Sequence, residues 1–324
     1  MALLSIEQLT VVYRQDGLVV PAVDCVDLAV EPGEVLAVVG ESGCGKTSLA
    51  LAITNLIRPP GEIPHGRVVF QGQDLLALSP GALRDVRGRQ VSYVFQDPAT
   101  SLNPVLSIGE QLRETIRLHA IREDARADDY AVDLLSQVGI PSPRERLGAY
   151  PHELSGGMRQ RVMIAMAIAP KPSLLIADEP TTALDVTVQV QILQLLQRLQ
   201  QTLQLSLVLI SHDLTVVERL CHRVAVMYAG RIVEAGPVAE VFQRPAHPYT
   251  MGLLGCRPVR LQGVVRLGAI EGRAPDLTRL PSGCAFHPRC PVAEPRCADA
   301  VPGLDPVGPK RVARCLKPFS KPGA

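Results

Sequence analysis

The residues of this chain best suited to chemistry begin with Gly40-Glu41-Ser42-Gly43-Cys44-Gly45-Lys46-Thr47-Ser48. Glycines at this spacing let backbone N–H groups turn inward around an anion, the lysine supplies a fixed positive charge, and the hydroxyl beside it can ligate a divalent cation. Asp178-Glu179 closes the apolar run Leu174-Leu175-Ile176-Ala177, so two carboxylates stand together where a metal ion and a water molecule can be held. His212 follows another apolar run, residues 205–210, and an imidazole at a strand end can sense a phosphate. Ser155-Gly156-Gly157 opens an apolar helical stretch and offers exposed N–H groups at a positive dipole end. The same tripeptide also suits a plain N-cap. Last, Cys284, Cys290, Cys297 and Cys315 gather near the C-terminus with the spacing C-x5-C-x6-C-x17-C.

A phosphate-binding loop works only between a strand and a helix. Val35-Leu36-Ala37-Val38-Val39 reads as a buried parallel strand, and Leu49-Ala50-Leu51-Ala52-Ile53 as the first turns of a helix. The chain has five lysines, so a chance G-x4-G-K-[ST] match is expected in roughly a quarter of one per cent of such chains. The loop is therefore read as a P-loop, with Lys46 on the β- and γ-phosphates and Thr47 on Mg²⁺. Asp178 fits a Mg²⁺-associated acid, and Glu179 the carboxylate that polarises an attacking water. The bland alternative for that pair is an exposed acidic turn before Pro180. Further strands are predicted over residues 5–12, 20–30, 66–72, 91–95 and, on either side of Ala229-Gly230, 223–234. Pro59-Pro60-Gly61-Glu62-Ile63-Pro64 reads as a break, residues 108–138 as a helical insertion, and His247-Pro248-Tyr249-Thr250 as the start of a short helix.

The 324 residues allow about two domains. A net charge of +1 excludes nucleic-acid binding by bulk electrostatics. The balance is uneven: residues 256–324 carry twelve Lys and Arg against five Asp and Glu, a balance of +7 that leaves −6 for the rest, and they hold eleven of the 28 prolines. A distinct, loop-rich region is expected there. No apolar run approaches the eighteen or so residues of a membrane span. The N-terminus lacks the basic start of a signal peptide, so a cytoplasmic protein is expected unless a partner holds it at a membrane. Cys25, Cys44, Cys221 and Cys256 are scattered and read as reduced packing or loop residues. The other four lack the tight pair usual for structural zinc. A [4Fe–4S] cluster tolerates broad spacing, and Cys290-Pro291 matches the Cys-Pro common at such sites. The cluster is the preferred reading, with zinc as the alternative and unliganded thiols or a disulfide behind it.

In order, these motifs resemble those of an ABC-type ATPase: the P-loop, a Q-loop glutamine at Gln96, the signature Leu154-Ser155-Gly156-Gly157, Glu179 after Asp178, a D-loop at Ala183-Leu184-Asp185 and a switch histidine at His212. The resemblance runs over about residues 3–255. It implies an α/β fold, a P-loop NTPase core (RecA-like mixed sheet) with an antiparallel β edge region. It also implies a helical insertion subdomain at about 97–165 and domains at 1–255 and 256–324, the latter a small Cys-containing extension. It implies further that Tyr13 stacks on adenine, that Gly40, Ser42, Gly43, Cys44, Gly45, Lys46, Thr47 and Ser48 hold ATP, and that Ser155, Gly156, Gly157 and Asp185 reach it across a dimer. Thr47, Gln96 and Asp178 would hold Mg²⁺; Glu179, His212 and Gln96 would be catalytic.

A narrower resemblance rests on Phe95-Gln96-Asp97-Pro98, Thr100-Ser101-Leu102-Asn103-Pro104, the stretch from Ser155-Gly156-Gly157-Met158 to Ala165, His247-Pro248-Tyr249-Thr250, and Gly283-Cys284-Ala285-Phe286-His287-Pro288-Arg289-Cys290-Pro291. These are similar to the oligopeptide/dipeptide (and nickel) importer ATPases. That family implies a second ATPase subunit, identical or a paralogue, paired head to tail. It also implies two transmembrane permease subunits docking near Gln96 and the helical insertion, an extracytoplasmic substrate-binding protein, a place on the cytoplasmic face of the membrane, and no nucleic acid. Its members carry an iron–sulfur cluster in this extension. Nickel, glutathione or another small solute is the alternative cargo. The rival class, an ABC ATPase acting on DNA or ribosomes, typically has tandem halves or long coiled coils, and the sequence contains neither.

Overall fold

The computed structural model describes residues 2–15, 17–119, 126–182, 184–257, 259–261, 264–266 and 268–319. They form two compact units, one from Met1–Ala77 with Ile210–Ala324, the other from Leu78–Leu209.

The first unit opens with β1 (Leu4–Gln15), β2 (Leu18–Val30), β3 (Val35–Val39), α1 (Lys46–Ile53), β4 (Gly61–Phe70) and β5 (Gln73–Asp74). Four of these strands make an antiparallel sheet in the order β2-β1-β4-β5. Leu4, Ile6, Leu9 and Val11 of β1 are buried, and the change of step between Ile6 and Leu9 coincides with a register shift and a positive φ of 46° at Gln8. β4 crosses the break expected at residues 59–64. The reason lies in the pairing: β1 and β4 shift register between Thr10–His65 and Val12–Glu62, and Pro64 falls in that irregularity, where a missing N–H is tolerated.

The second unit contains α2 (Pro80–Val86), β6 (Val91–Val94), α3 (Pro98–Ser101), α4 (Ile108–Leu118), α5 (Ala127–Gln137), α6 (Pro143–Arg146), α7 (Gly156–Ile168), β7 (Leu174–Asp178), α8 (Val186–Leu203) and β8 (Ser206–Ile210). Its strands run in the order β8-β7-β6, with β6 and β7 parallel. Every residue of β7 and β8 is buried, as expected of continuous apolar strands. The helical period of residues 108–138 divides into α4 and α5, burying Leu112, Ile116, Leu134 and Leu135, with 120–125 outside the described residues. A capping box starts α4: the Glu110 N–H donates to Ser107 Oγ (3.3 Å), and the Glu110 carboxylate accepts from the Ser107 N–H (2.7 Å).

The chain returns to the first unit through α9 (Leu214–Leu220), β9 (Arg223–Tyr228), β10 (Arg231–Pro237), α10 (Val238–Gln243), α11 (Pro248–Gly255), β11 (Val259–Leu261), β12 (Val264–Arg266), α12 (Arg296–Asp299), β13 (Asp305–Gly308) and β14 (Arg311–Ala313). β9 runs parallel to β3, and β10, β14 and β13 follow in antiparallel succession. The proline-rich end of the chain thus contributes two strands to a sheet built on the P-loop strand. A buried ion pair marks the joint. Arg311 donates to Glu234 at 3.1 Å and to the Arg244 carbonyl at 2.6 Å. Glu234 also accepts from the N–H groups of Ala246 (2.8 Å) and His247 (2.9 Å). Two charges are tolerated there because each is paired and hydrogen-bonded. Among the described residues no helix is long and apolar enough to cross a membrane.

Candidate active site

In the first unit the phosphate loop lies between β3, buried throughout, and α1. Lys46 is 4 % exposed, and its Nζ donates to the carbonyls of Gly40 and Glu41, each at 2.9 Å. Two glycines are dictated by space. A Cβ on Gly40 would stand 2.2 Å from the Met227 carbonyl oxygen, and one on Gly45 would stand 1.9 Å from that of Ala22, at a φ of 107°. Gly45 caps α1 without a side chain and leaves the helix end to its backbone donors, the arrangement an anion site uses.

Ser42 and Gly43 are exposed on the loop, Thr47 is exposed in the first turn of α1, and Ser48 beside it is half-buried. Cys44 is buried; burial pushes its thiol up despite Lys46 nearby, so it is a packing residue and no nucleophile. Tyr13 Oη lies 3.2 Å from Ser48 Oγ, which brings this aromatic residue to the first turn of α1. His212 is exposed in a turn held by its neighbours: the Asp213 N–H donates to Ser211 Oγ (3.0 Å), and the Asp213 carboxylate caps α9 by accepting from the Thr215 N–H (2.8 Å).

In the second unit β7 delivers Asp178 to a buried position, where its Oδ2 accepts from Tyr93 Oη at 2.9 Å. Burial, and then the charge of Asp178, push the Tyr93 hydroxyl far above its usual range, so it remains a donor. Glu179 follows with a φ of 44°, a strained conformation for a residue with a side chain and one that concentrates at functional sites. Its Oε2 accepts from Gln96 Nε2 and from Thr182 Oγ1, both at 2.9 Å. Gln96 and Glu179, chosen separately in the sequence, are therefore in contact. Tyr93 and Thr182 were not anticipated. Thr182 was detectable, three residues past Glu179 in a turn. Tyr93 depends on β6 lying beside β7 with Tyr93 opposite Ile176, which sequence pattern does not reveal.

Ser155 is the N-cap of α7, its Oγ accepting from the Met158 N–H at 3.3 Å. The glycines after it allow a close approach: a Cβ on Gly157 would meet Val188 Cγ1 at 2.6 Å, and one on Gly156 would meet Leu184 Cδ2 at 3.3 Å. Asp185 caps α8, accepting from the Val188 N–H at 2.9 Å. The signature helix and the Asp185 turn are packed together; Ala183 lies outside the described residues.

The four C-terminal cysteines line one cavity together with His247 and Phe286. Burial pushes the Cys315 thiol up to about 11, with the other three cysteines adding to the effect, and raises Cys284 and Cys290 as well. Burial also pushes His247 down to about 4; it stays neutral and accepts from the Tyr249 N–H at 3.0 Å. None of the eight cysteines is joined in a disulfide, so the disulfide reading falls. Cys25, expected as packing or loop, is exposed within β2 at a φ of 48°. Among the described residues no group of three or more His, Cys, Asp or Glu is placed to hold a metal ion.

A glycine loop after a parallel strand, a buried acid followed by a second carboxylate, and a glycine-opened signature helix define an ATP-binding cassette. Residues 23–182 match the ABC transporter family, and residues 233–297 match the oligopeptide/dipeptide transporter C-terminal region. The chain is 46 % identical to the dipeptide transport ATP-binding protein DppD of Escherichia coli (strain K12), over 100 % of this chain and 99 % of that one. It is also 46 % identical to the oligopeptide transport ATP-binding protein OppD of the same strain, over 99 % and 94 %. A solved dimer of an ATP-binding cassette, in a post-hydrolysis state with ADP and Pi, aligns with a TM-score of 0.65 and 26 % identity over 72 % of this chain and 98 % of that one. This chain belongs to the oligopeptide/dipeptide family of ABC transporter ATP-binding proteins, and the expected P-loop NTPase fold is borne out.

Proposed function

We propose that this chain hydrolyses ATP to drive import of oligopeptides and dipeptides through a membrane ABC transporter. The full-length likeness to dipeptide and oligopeptide transport proteins, at 46 % identity, carries the reading. The unbroken order of motifs from Gly40 to His212 supports it. Gly40, Ser42, Gly43, Cys44, Gly45, Lys46, Thr47 and Ser48 bind the phosphates, and Tyr13 stacks on the adenine. In a head-to-tail pair, Ser155, Gly156, Gly157 and Asp185 of the other subunit close over that nucleotide. Thr47, Gln96 and Asp178 would hold Mg²⁺, which would supply charge neutralisation for the phosphates. Glu179 takes the proton of the attacking water, Gln96 orients Glu179, and His212 touches the γ-phosphate. The domain limits, 1–255 with a helical subdomain at 97–165 and an extension at 256–324, belong to the same proposal.

The partners are a second ATPase subunit, two permease subunits that place the chain on the cytoplasmic face of the membrane, and, through them, an extracytoplasmic binding protein. In vesicles reconstituted with the co-purifying membrane subunits, binding protein loaded with a dipeptide is expected to stimulate ATP hydrolysis several-fold. Stimulation by nickel- or glutathione-loaded protein, with none from peptide, would replace the cargo.

We further infer that Cys284, Cys290, Cys297 and Cys315 bind a [4Fe–4S] cluster. Their convergence on one cavity supports this. Zinc held by the same four thiolates is the alternative. A cluster spreads its thiolates over separate irons. Bound there, it would supply folding free energy to an extension rich in proline. Protein purified anaerobically is expected to be brown, with about four irons per chain. A colourless preparation with zinc would restore the zinc alternative, and no metal at all, with reactive thiols, would end both.

A further inference from the structure

The phosphate loop is gripped from a side that nucleotide chemistry does not require. Glu41, directly after Gly40, presents its carboxylate to Arg289 of the cysteine-bearing extension. Arg289 Nη1 donates to Oε2 at 2.7 Å and Nη2 donates to Oε1 at 2.9 Å. This is the two-pronged arginine–carboxylate pair, which fixes orientation as well as distance. The Arg289 side chain is 6 % exposed, and its Nε is anchored on the Glu271 carbonyl at 2.9 Å. The backbone of Glu41 is held too: its N–H donates to Tyr249 Oη at 2.8 Å, and its carbonyl accepts from Lys46 Nζ at 2.9 Å. One loop residue thus joins the extension, α11 and the phosphate-binding lysine.

The support behind Arg289 is aromatic and closely packed. Phe286, three residues before it, meets Tyr228 edge-on at 5.2 Å and Tyr249 at 5.4 Å, and Tyr228 lies 4.5 Å from Tyr249. The Arg289 guanidinium stands 5.9 Å from the ring centres of both Tyr228 and Phe286. Tyr228 follows Met227, whose carbonyl limits Gly40. A carboxylate in a loop that binds a triphosphate works against binding unless its charge is neutralised. Arg289 neutralises it.

We infer that Arg289 is a positioning residue for the nucleotide site, bracing the phosphate loop through Glu41, so that order in the C-terminal extension and occupancy by ATP are linked. The inference rests on the ATP reading of the loop. Linkage is reciprocal: what the extension contributes to ATP binding, ATP returns to the extension.

The test uses the full-length chain. Arg289→Ala is expected to raise the Kd for ATP about tenfold. Arg289→Lys is expected to recover only part of the loss, since lysine lacks the fork. Combining Arg289→Ala with Glu41→Gln is expected to weaken binding little beyond the more damaging single substitution, since both break the same brace. In the wild-type chain, saturating Mg-ATP is expected to slow tryptic cleavage within residues 256–324, and in Arg289→Ala it no longer does. Wild-type ATP affinity in Arg289→Ala, or effects of the two substitutions that simply add, overturns the inference. Should Arg289→Ala not fold, protection in the wild-type chain decides, and cleavage of the extension unchanged by ATP overturns it. A wild-type chain that binds no ATP at all would instead remove the nucleotide reading.

Discussion

Glu179→Gln is expected to lower ATP turnover by about a thousandfold while ATP affinity stays within about twofold of wild type. The amide has nearly the shape of the carboxylate, and its oxygen can still accept from Gln96 Nε2 and Thr182 Oγ1, the two donors at 2.9 Å that hold Glu179. What the substitution removes is a base able to take a proton from water. Asp178, the metal-associated acid in the proposal, keeps its Tyr93 partner at 2.9 Å and is untouched. The variant therefore separates binding from chemistry. Steady-state hydrolysis by the reconstituted transporter and a direct titration of ATP measure the two. Near-normal hydrolysis would take the base role from Glu179, and loss of both together would make it a structural residue.

The parts of this site that could be read in the sequence are the local ones. Strand, glycine loop and helix follow one another within Val35–Val39 and Lys46–Ile53, and the chemistry of the loop is set by the residues between. Asp178-Glu179 was recognisable because two carboxylates at the end of an apolar strand need a reason. Pattern failed where function depends on which strands are neighbours. Tyr93 reaches Asp178 only because β6 and β7 are paired, and Arg289 reaches Glu41 across 248 positions of chain. No period or spacing encodes such a pair.

The extension is only partly legible in the sequence, for a related physical reason. Its prolines and glycines suggest loops, and in composition it has little core of its own. Strand partners can come from elsewhere, however. β14 pairs with β10 through Glu234–Ala313 and Ala235–Val312, and the Arg311–Glu234 ion pair is enclosed at that joint. A segment that cannot bury enough apolar surface alone is ordered by completing a sheet that already exists. Ser155 illustrates the opposite case, where two readings of one motif are compatible. It caps α7 through the Met158 N–H, and a capped, glycine-opened helix start still directs its dipole outward.

Gly45→Ala is expected to weaken ATP binding by about a hundredfold or more. A methyl group there would lie 1.9 Å from the Ala22 carbonyl oxygen and 2.8 Å from the Met227 methyl, with the backbone at a φ of 107°. Met227 can turn aside, but the Ala22 carbonyl belongs to β2 and cannot yield without moving a strand. The loop must give way instead, and with it the start of α1 and Lys46. Conformational strain by itself is the smaller effect. Gly33→Ala makes the comparison: its φ is 72°, yet nothing lies within 4 Å of the added Cβ. That variant is expected to lose about 1 kcal/mol of stability from the left-handed backbone and to bind ATP as the wild type does. Calorimetric titration with ATP and thermal unfolding of both variants provide the measurement. Equal losses in the two would mean that left-handed strain, and not the contact with β2, decides the effect, and an alanine at position 45 that bound ATP normally would remove the loop from the nucleotide site.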